Sequence, residues 1–149
     1  MCRGREGDVE LMREQVWSDD LWRLTTAVEG EVAGFSYLEP IRHVRYIEEL
    51  DGPEAATPGT VLASCSAAIK RACKAERVYV YVFGGSVPHL HLHLAPHVEG
   101  GPMNEALIKG ELTEETLPNG AVLFTSADYP PLPAEQLRAA VDEVRAALS

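Results

Sequence analysis

The sequence predicts an α+β domain built mainly from antiparallel strand pairs. Three observations carry that expectation: an amphipathic helix near the middle of the chain, alternating apolar runs separated by glycine- and proline-marked breaks, and a second amphipathic helix at the C-terminal end. At 149 residues the chain has the size of one domain. A hydrophobic fraction of 46% with 24% charged residues excludes a disordered, collagen-like or disulfide-framed chain.

Residues 8–17 read as a helix by composition, with Val9, Leu11, Met12 and Val16 apolar. Leu21 to Val28 reads as a first strand, Glu29-Gly30 as a turn, and Phe35 to Leu38 as a second strand ending at Pro40. The main helix follows Thr57-Pro58, an N-cap residue with proline at the first helical position. Leu62, Cys65, Ile69 and Cys73 define its buried face, and Lys70, Arg71 and Lys74 complement the dipole at its C-terminal end. Val78 to Phe83 alternates β-branched and aromatic residues, a strand pattern broken by Gly84-Gly85-Ser86-Val87-Pro88. His89 to Ala95 forms the next strand, ending at Pro96. Asn104 to Lys109 reads as a short helix, and Leu112 to Leu117 with Ala121 to Thr125 as a hairpin around Pro118-Asn119-Gly120. Ala134 to Leu148 closes the chain as a helix with Leu137, Val141, Val144 and Leu148 on one stripe.

A formal net charge of −10, spread over both halves, leaves no basic footprint for a phosphate backbone. Nucleic acid polymers and anionic membranes are therefore not expected partners, whereas a small anionic ligand held by a few aimed donors fits. No apolar run approaches the ~20 residues of a membrane span. Met1 to Asp8 contains no apolar signal core, so a cytoplasmic protein is expected. Cys2, Cys65 and Cys73 form no CxxC pair, and the two in the main helix read as small buried apolar residues.

The chemistry concentrates in His89-Leu90-His91-Leu92-His93-Leu94-Ala95-Pro96-His97, which holds four of the five histidines. Side chains alternate along a strand, so His89, His91 and His93 share one face while the leucines enter a core. A central His91 then serves as nucleophile or base, with its neighbours fixing its tautomer, binding substrate or carrying protons. The Gly84-Gly85-Ser86 turn just upstream offers backbone N–H groups and a hydroxyl to an anion.

Gly85-Ser86-Val87-Pro88-His89-Leu90-His91-Leu92-His93-Leu94 resembles the signature of the histidine triad superfamily, in which three histidines alternate with apolar residues. Gly34-Phe35-Ser36-Tyr37-Leu38-Glu39-Pro40-Ile41-Arg42-His43-Val44 resembles the family's strand, proline, basic residue and fourth histidine. The resemblance covers about residues 21–96. It implies one domain over 1–149: an antiparallel half-barrel sheet with a long packed helix and a C-terminal helix, residues 103–149 adding a C-terminal extension, in a homodimer. It further implies a hydrolase or nucleotidyl transferase acting on a small phosphorylated substrate, with no cofactor or metal required. His91 would attack phosphorus and form a phosphohistidine-type intermediate. His89 and His93 would bind phosphate oxygens, orient His91 and protonate the leaving group, and His43 would complete the cluster. Ser86, Gly85, Gly84, Arg42 and His97 would contact the substrate.

The chain departs from that pattern where a sugar would bind. Thr25-Thr26-Ala27-Val28 stands where members carry an acidic residue for ribose hydroxyls, the glycine-rich loop is cut to Phe83-Gly84-Gly85, and His97 replaces a common arginine. An unusual substrate is the consequence, with ordinary nucleotides expected to bind poorly. Two other classes of function use the same residues: a metal or haem site built on His-x-His with His43 or His97, and a non-catalytic ligand-binding module.

Overall fold

The computed structural model describes residues 5–83, 87–101, 111–127 and 129–149. Its centre is a five-stranded, wholly antiparallel sheet in the order β1 (Arg13–Ser18), β2 (Trp22–Ala27), β3 (Ser36–Pro40), β5 (Leu92–His97), β4 (Arg77–Tyr81). A separate two-stranded hairpin pairs β6 (Glu111–Thr116) with β7 (Val122–Ala127). Among the described residues the helices are α1 (Arg5–Glu10), α2 (Gly52–Ala56), α3 (Pro58–Ala72) and α4 (Ala134–Ala147), with a 3-10 turn at Ile47–Glu49. The α+β expectation holds, as do the main helix, the hairpin and the C-terminal helix.

Cross-strand registers sort the side chains into two faces. Leu24, Leu38 and Leu92 stand opposite one another across β2, β3 and β5. They join Trp22, Leu94, Cys65, Ile69, Val141 and Val144 in the main core, so α3 and α4 cover this face. Each such buried side chain contributes about 1.5–3 kcal/mol of transfer free energy. On the other face Thr25, Tyr37, His93 and Tyr81 form the next row. Ala27, Val32, Phe35 and Ala95 make a smaller apolar cluster there, with Tyr37, Tyr79 and Tyr81 packed against it.

Two elements differ from the sequence reading. Residues 8–17 divide into α1 and β1, because Met12 adopts a left-handed φ of 52° that ends the helix. The β1–β2 register then shifts between Gln15 and Trp17, which removes the simple alternation by which a strand is recognised. The second difference is the start of β5 at Leu92, three residues later than expected. His89 N–H bonds back to the Val87 carbonyl at 2.8 Å and Leu90 N–H to the Val44 carbonyl at 2.7 Å, so the backbone enters the ladder only afterwards. Pro40, the last residue of β3, has no N–H to offer that ladder. Thr57 occupies the N-cap of α3 as expected, but its hydroxyl donates to the Pro53 carbonyl and accepts from Trp22 Nε1 instead of capping the helix. The expected helix at Asn104 to Lys109 lies outside the described residues.

Candidate active site

His91 and His93 emerge on the sheet face opposite the leucine core. The His93 ring sits among aromatic neighbours, with centroids 4.8 Å from Tyr81, 5.2 Å from Tyr37, 5.8 Å from Phe35 and 5.0 Å from His91. His91 Nδ1 lies 2.6 Å from the His89 carbonyl. A carbonyl oxygen only accepts, so Nδ1 carries the proton and the neutral ring keeps its lone pair on Nε2. That tautomer is the one a nucleophilic imidazole needs.

His89 and His43 stand behind this pair. His89 Nε2 donates to the Pro40 carbonyl at 2.9 Å, which makes its Nδ1 the acceptor in the neutral ring, and His43 Nδ1 lies 3.4 Å from that atom. Burial holds His89 below the ordinary histidine pKa, against the opposing pull of Glu39 and the Pro40 carbonyl. His89 thus contributes its backbone to the site and its ring to the support of β3. The role of phosphate ligand expected for its ring does not fit this orientation.

A cavity of about 310 Å³ opens in front of His91 and His93. Leu11 and Arg13 line it from the N-terminal segment, Tyr37 and Glu39 from β3, and Phe83 and Val87 from either side of residues 84–86. Two other expected contacts lie elsewhere. Arg42 is held by Asp51, the N-cap residue of α2, at 2.5 Å and by Glu54 within α2 at 3.0 Å, and it does not line the cavity. His97 ends β5 six residues beyond His91, buried against Tyr79 with ring centroids 5.6 Å apart. Gly84, Gly85 and Ser86 lie outside the described residues.

Motif reading does not single out Arg13, and it meets Glu39 only as a member of the segment 34–44. Both belong to a buried ionic ring with Asp8 and Arg23. Asp8 accepts from Arg13 Nε at 3.2 Å and from Arg23 at 3.0 and 3.1 Å. Glu39, 1% exposed, pairs with Arg13 Nη1 at 2.8 Å and Arg23 Nη2 at 2.7 Å. In the folded sheet Arg23 stands directly opposite Glu39 across β2 and β3.

Among the described residues, no group of three or more His, Cys, Asp or Glu side chains is placed to hold a metal ion. Burial pushes the Cys65 thiol up to about 12 and Cys73 to about 11, so both stay protonated and unreactive at neutral pH.

With its antiparallel five-stranded sheet, this chain has the fold of solved histidine triad proteins. A histidine triad protein from Marinobacter aquaeolei superposes with a TM-score of 0.70 at 17% identity, over 97% of this chain and 95% of its own. One from Sinorhizobium meliloti gives 0.68 at 19% identity, over 91% and 90%. A hypothetical histidine triad nucleotide-binding protein from Sulfolobus tokodaii gives 0.65 at 19% identity, over 94% and 86%. No family model matches the sequence, and no curated protein matches it.

Proposed function

We propose that the protein is a histidine triad enzyme, a hydrolase or transferase that cleaves a small phosphorylated compound through a covalent intermediate on His91. The observation that carries this reading is the 2.6 Å bond from His91 Nδ1 to the His89 carbonyl, which leaves Nε2 as the basic nitrogen of a side chain lining the cavity. Nε2 attacks phosphorus, and a phosphorus–nitrogen bond forms as the bond to the leaving oxygen or nitrogen breaks. The leaving group departs with the electron pair and takes a proton from His93, whose ring lies 5.0 Å from that of His91. Water or another acceptor then attacks phosphorus, gives its proton to His93 and returns the electron pair to Nε2. The nucleotide-binding description of the Sulfolobus tokodaii neighbour supports a phosphorylated ligand.

Ala27 bears on which phosphorylated ligand. It is 7% exposed and packed with Val32, Phe35 and Ala95, so it offers no acceptor for ribose hydroxyls. The missing charge-assisted hydrogen bond is worth about 1.5–3 kcal/mol, roughly ten- to a hundredfold in affinity. AMP is therefore expected to bind weakly, and tight micromolar binding by calorimetry would contradict this.

A panel of phosphoramidates and phosphate esters tests the reaction. A substrate quenched rapidly without acid is expected to leave phosphate-derived mass on the peptide carrying His91. Label confined to another residue overturns the assignment.

A further inference from the structure

The cavity holds a cation that the reaction at His91 does not use. Arg13 packs its guanidinium over Tyr37, with Cζ 5.3 Å from the ring centroid, and the same Tyr37 ring lies 6.3 Å from His91 and 5.2 Å from His93. Arg13 is therefore one aromatic ring away from both histidines, in a shared cavity. Its contacts employ Nε toward Asp8 and Nη1 toward Glu39, and Nη2 has no protein acceptor among the described residues.

The carboxylates beside Arg13 do not spoil this position for an anion. Both oxygens of Glu39 and both of Asp8 are occupied by guanidinium nitrogens of Arg13 and Arg23. The ring of two arginines and two acids is neutral as a whole, and it holds the Arg13 side chain at both Nε and Nη1. A guanidinium fixed in this way has little rotamer freedom left to lose on binding, which favours an oxyanion ligand. The cavity volume of about 310 Å³ lies at the small end of ligand pockets.

We propose that Arg13 forms a second oxyanion site, so that the substrate is a small non-nucleoside compound carrying another anionic group, carboxylate or phosphate, close to the phosphate that reacts at His91. This inference rests on the phosphoryl chemistry proposed above for His91.

Calorimetry with 2-phosphoglycolate and 2-hydroxyethyl phosphate tests it, because the two probes share a phosphate and differ at the far end in charge. The wild-type protein is expected to prefer phosphoglycolate by roughly tenfold, the scale of one charge-assisted hydrogen bond. Arg13→Gln is expected to abolish that preference, and Arg13→Lys, which keeps the charge, to retain part of it. Arg13 also supports Glu39, so melting temperatures accompany each measurement. If Arg13→Gln does not fold, the wild-type preference and the Arg13→Lys variant decide. Methylenebisphosphonate in place of phosphoglycolate tells whether a phosphate or a carboxylate is the better second group. Equal binding of the two probes by the wild type, or an unchanged preference in Arg13→Gln, overturns the proposal. With His91 still labelled by substrate, that failure leaves the reaction intact. An Arg13-dependent preference without label on His91 supports the oxyanion site and overturns the reaction.

Discussion

In the reaction proposed for His91, the tautomer rests on one bond of its own backbone neighbourhood, and removing the ring removes the proposed nucleophile without touching the core. Leu90, Leu92 and Leu94 are buried on the opposite face and keep β5 in place. His91→Ala is expected to lose turnover by several orders of magnitude with little change in melting temperature, since covalent nucleophiles act as part of a unit. His93→Ala is expected to fall by about 10²–10⁴-fold, the usual worth of a proton-transfer group. Steady-state rates on one phosphoramidate check both, and wild-type activity in His91→Ala contradicts the mechanism. His89 gives a second outcome, in stability. Burial holds it below the ordinary value of 6.5 that applies in the unfolded chain. Between that pH and the lower folded value the unfolded chain binds more protons, so acidification destabilises the native state. The contribution is complete above about pH 6.5 and is lost as the pH falls toward the folded value. Melting temperatures at pH 7.5 and 5.5 are expected to fall further in the wild type than in His89→Gln; equal slopes would show that His89 takes no part.

At the scale of elements, the junction between α3 and β3 depends on one glycine. Gly34 has a φ of +80°, and a Cβ there would stand 2.2 Å from Cys73 Sγ at the end of α3. Gly34→Ala is expected to cost about 1–3 kcal/mol from backbone strain and overpacking, read as a lower denaturant midpoint. Adding Cys73→Ala is expected to recover the steric share and leave the backbone share. A single variant that melts like the wild type contradicts this account of Gly34. Elements whose periodicity is undisturbed were legible in the sequence: α3 from Leu62, Cys65 and Ile69, α4 from Leu137, Val141 and Val144, and the hairpin from its Pro-Asn-Gly turn. The placing of His91 and His93 on one face was equally legible, because their spacing of two matches the strand repeat. β1 was not, since its bulge sets buried Val16 beside half-buried Trp17 and imitates no simple period. Nor was the ionic ring, whose members Asp8, Arg13, Arg23 and Glu39 come from α1, β1, β2 and β3 and meet only in the folded chain. Sequence spacing reads one strand at a time, and Arg13 enters the site only through its neighbours.

In the whole molecule, the sheet order leaves two edges with different cover. β1 is tied to α4 through Glu14, which accepts from both Arg138 and Arg145. Among the described residues no strand pairs beyond β4, and Val80, Val82 and Phe83 are 39%, 41% and 67% exposed along and just after it. The β6–β7 hairpin also exposes Val122, Leu123 and Phe124, and a two-stranded hairpin is marginal in water on its own. Unpaired edges with apolar side chains invite a second chain, and the commonest closed solution is a two-fold pair. We propose that the protein is a homodimer joined along the β4 side. Sedimentation at micromolar concentration is expected to show two chains, and a monomer would contradict it. Val80→Lys places an unpaired charge on that edge and is expected to give a folded monomer, while leaving the cavity lining unchanged. Each chain carries a net charge of −10, so association works against long-range repulsion. Screening at physiological ionic strength shortens that repulsion to about 8 Å, and the dimer is expected to tighten as salt rises from low values. Weakening with salt would instead mark an interface held by ion pairs rather than by the apolar edge.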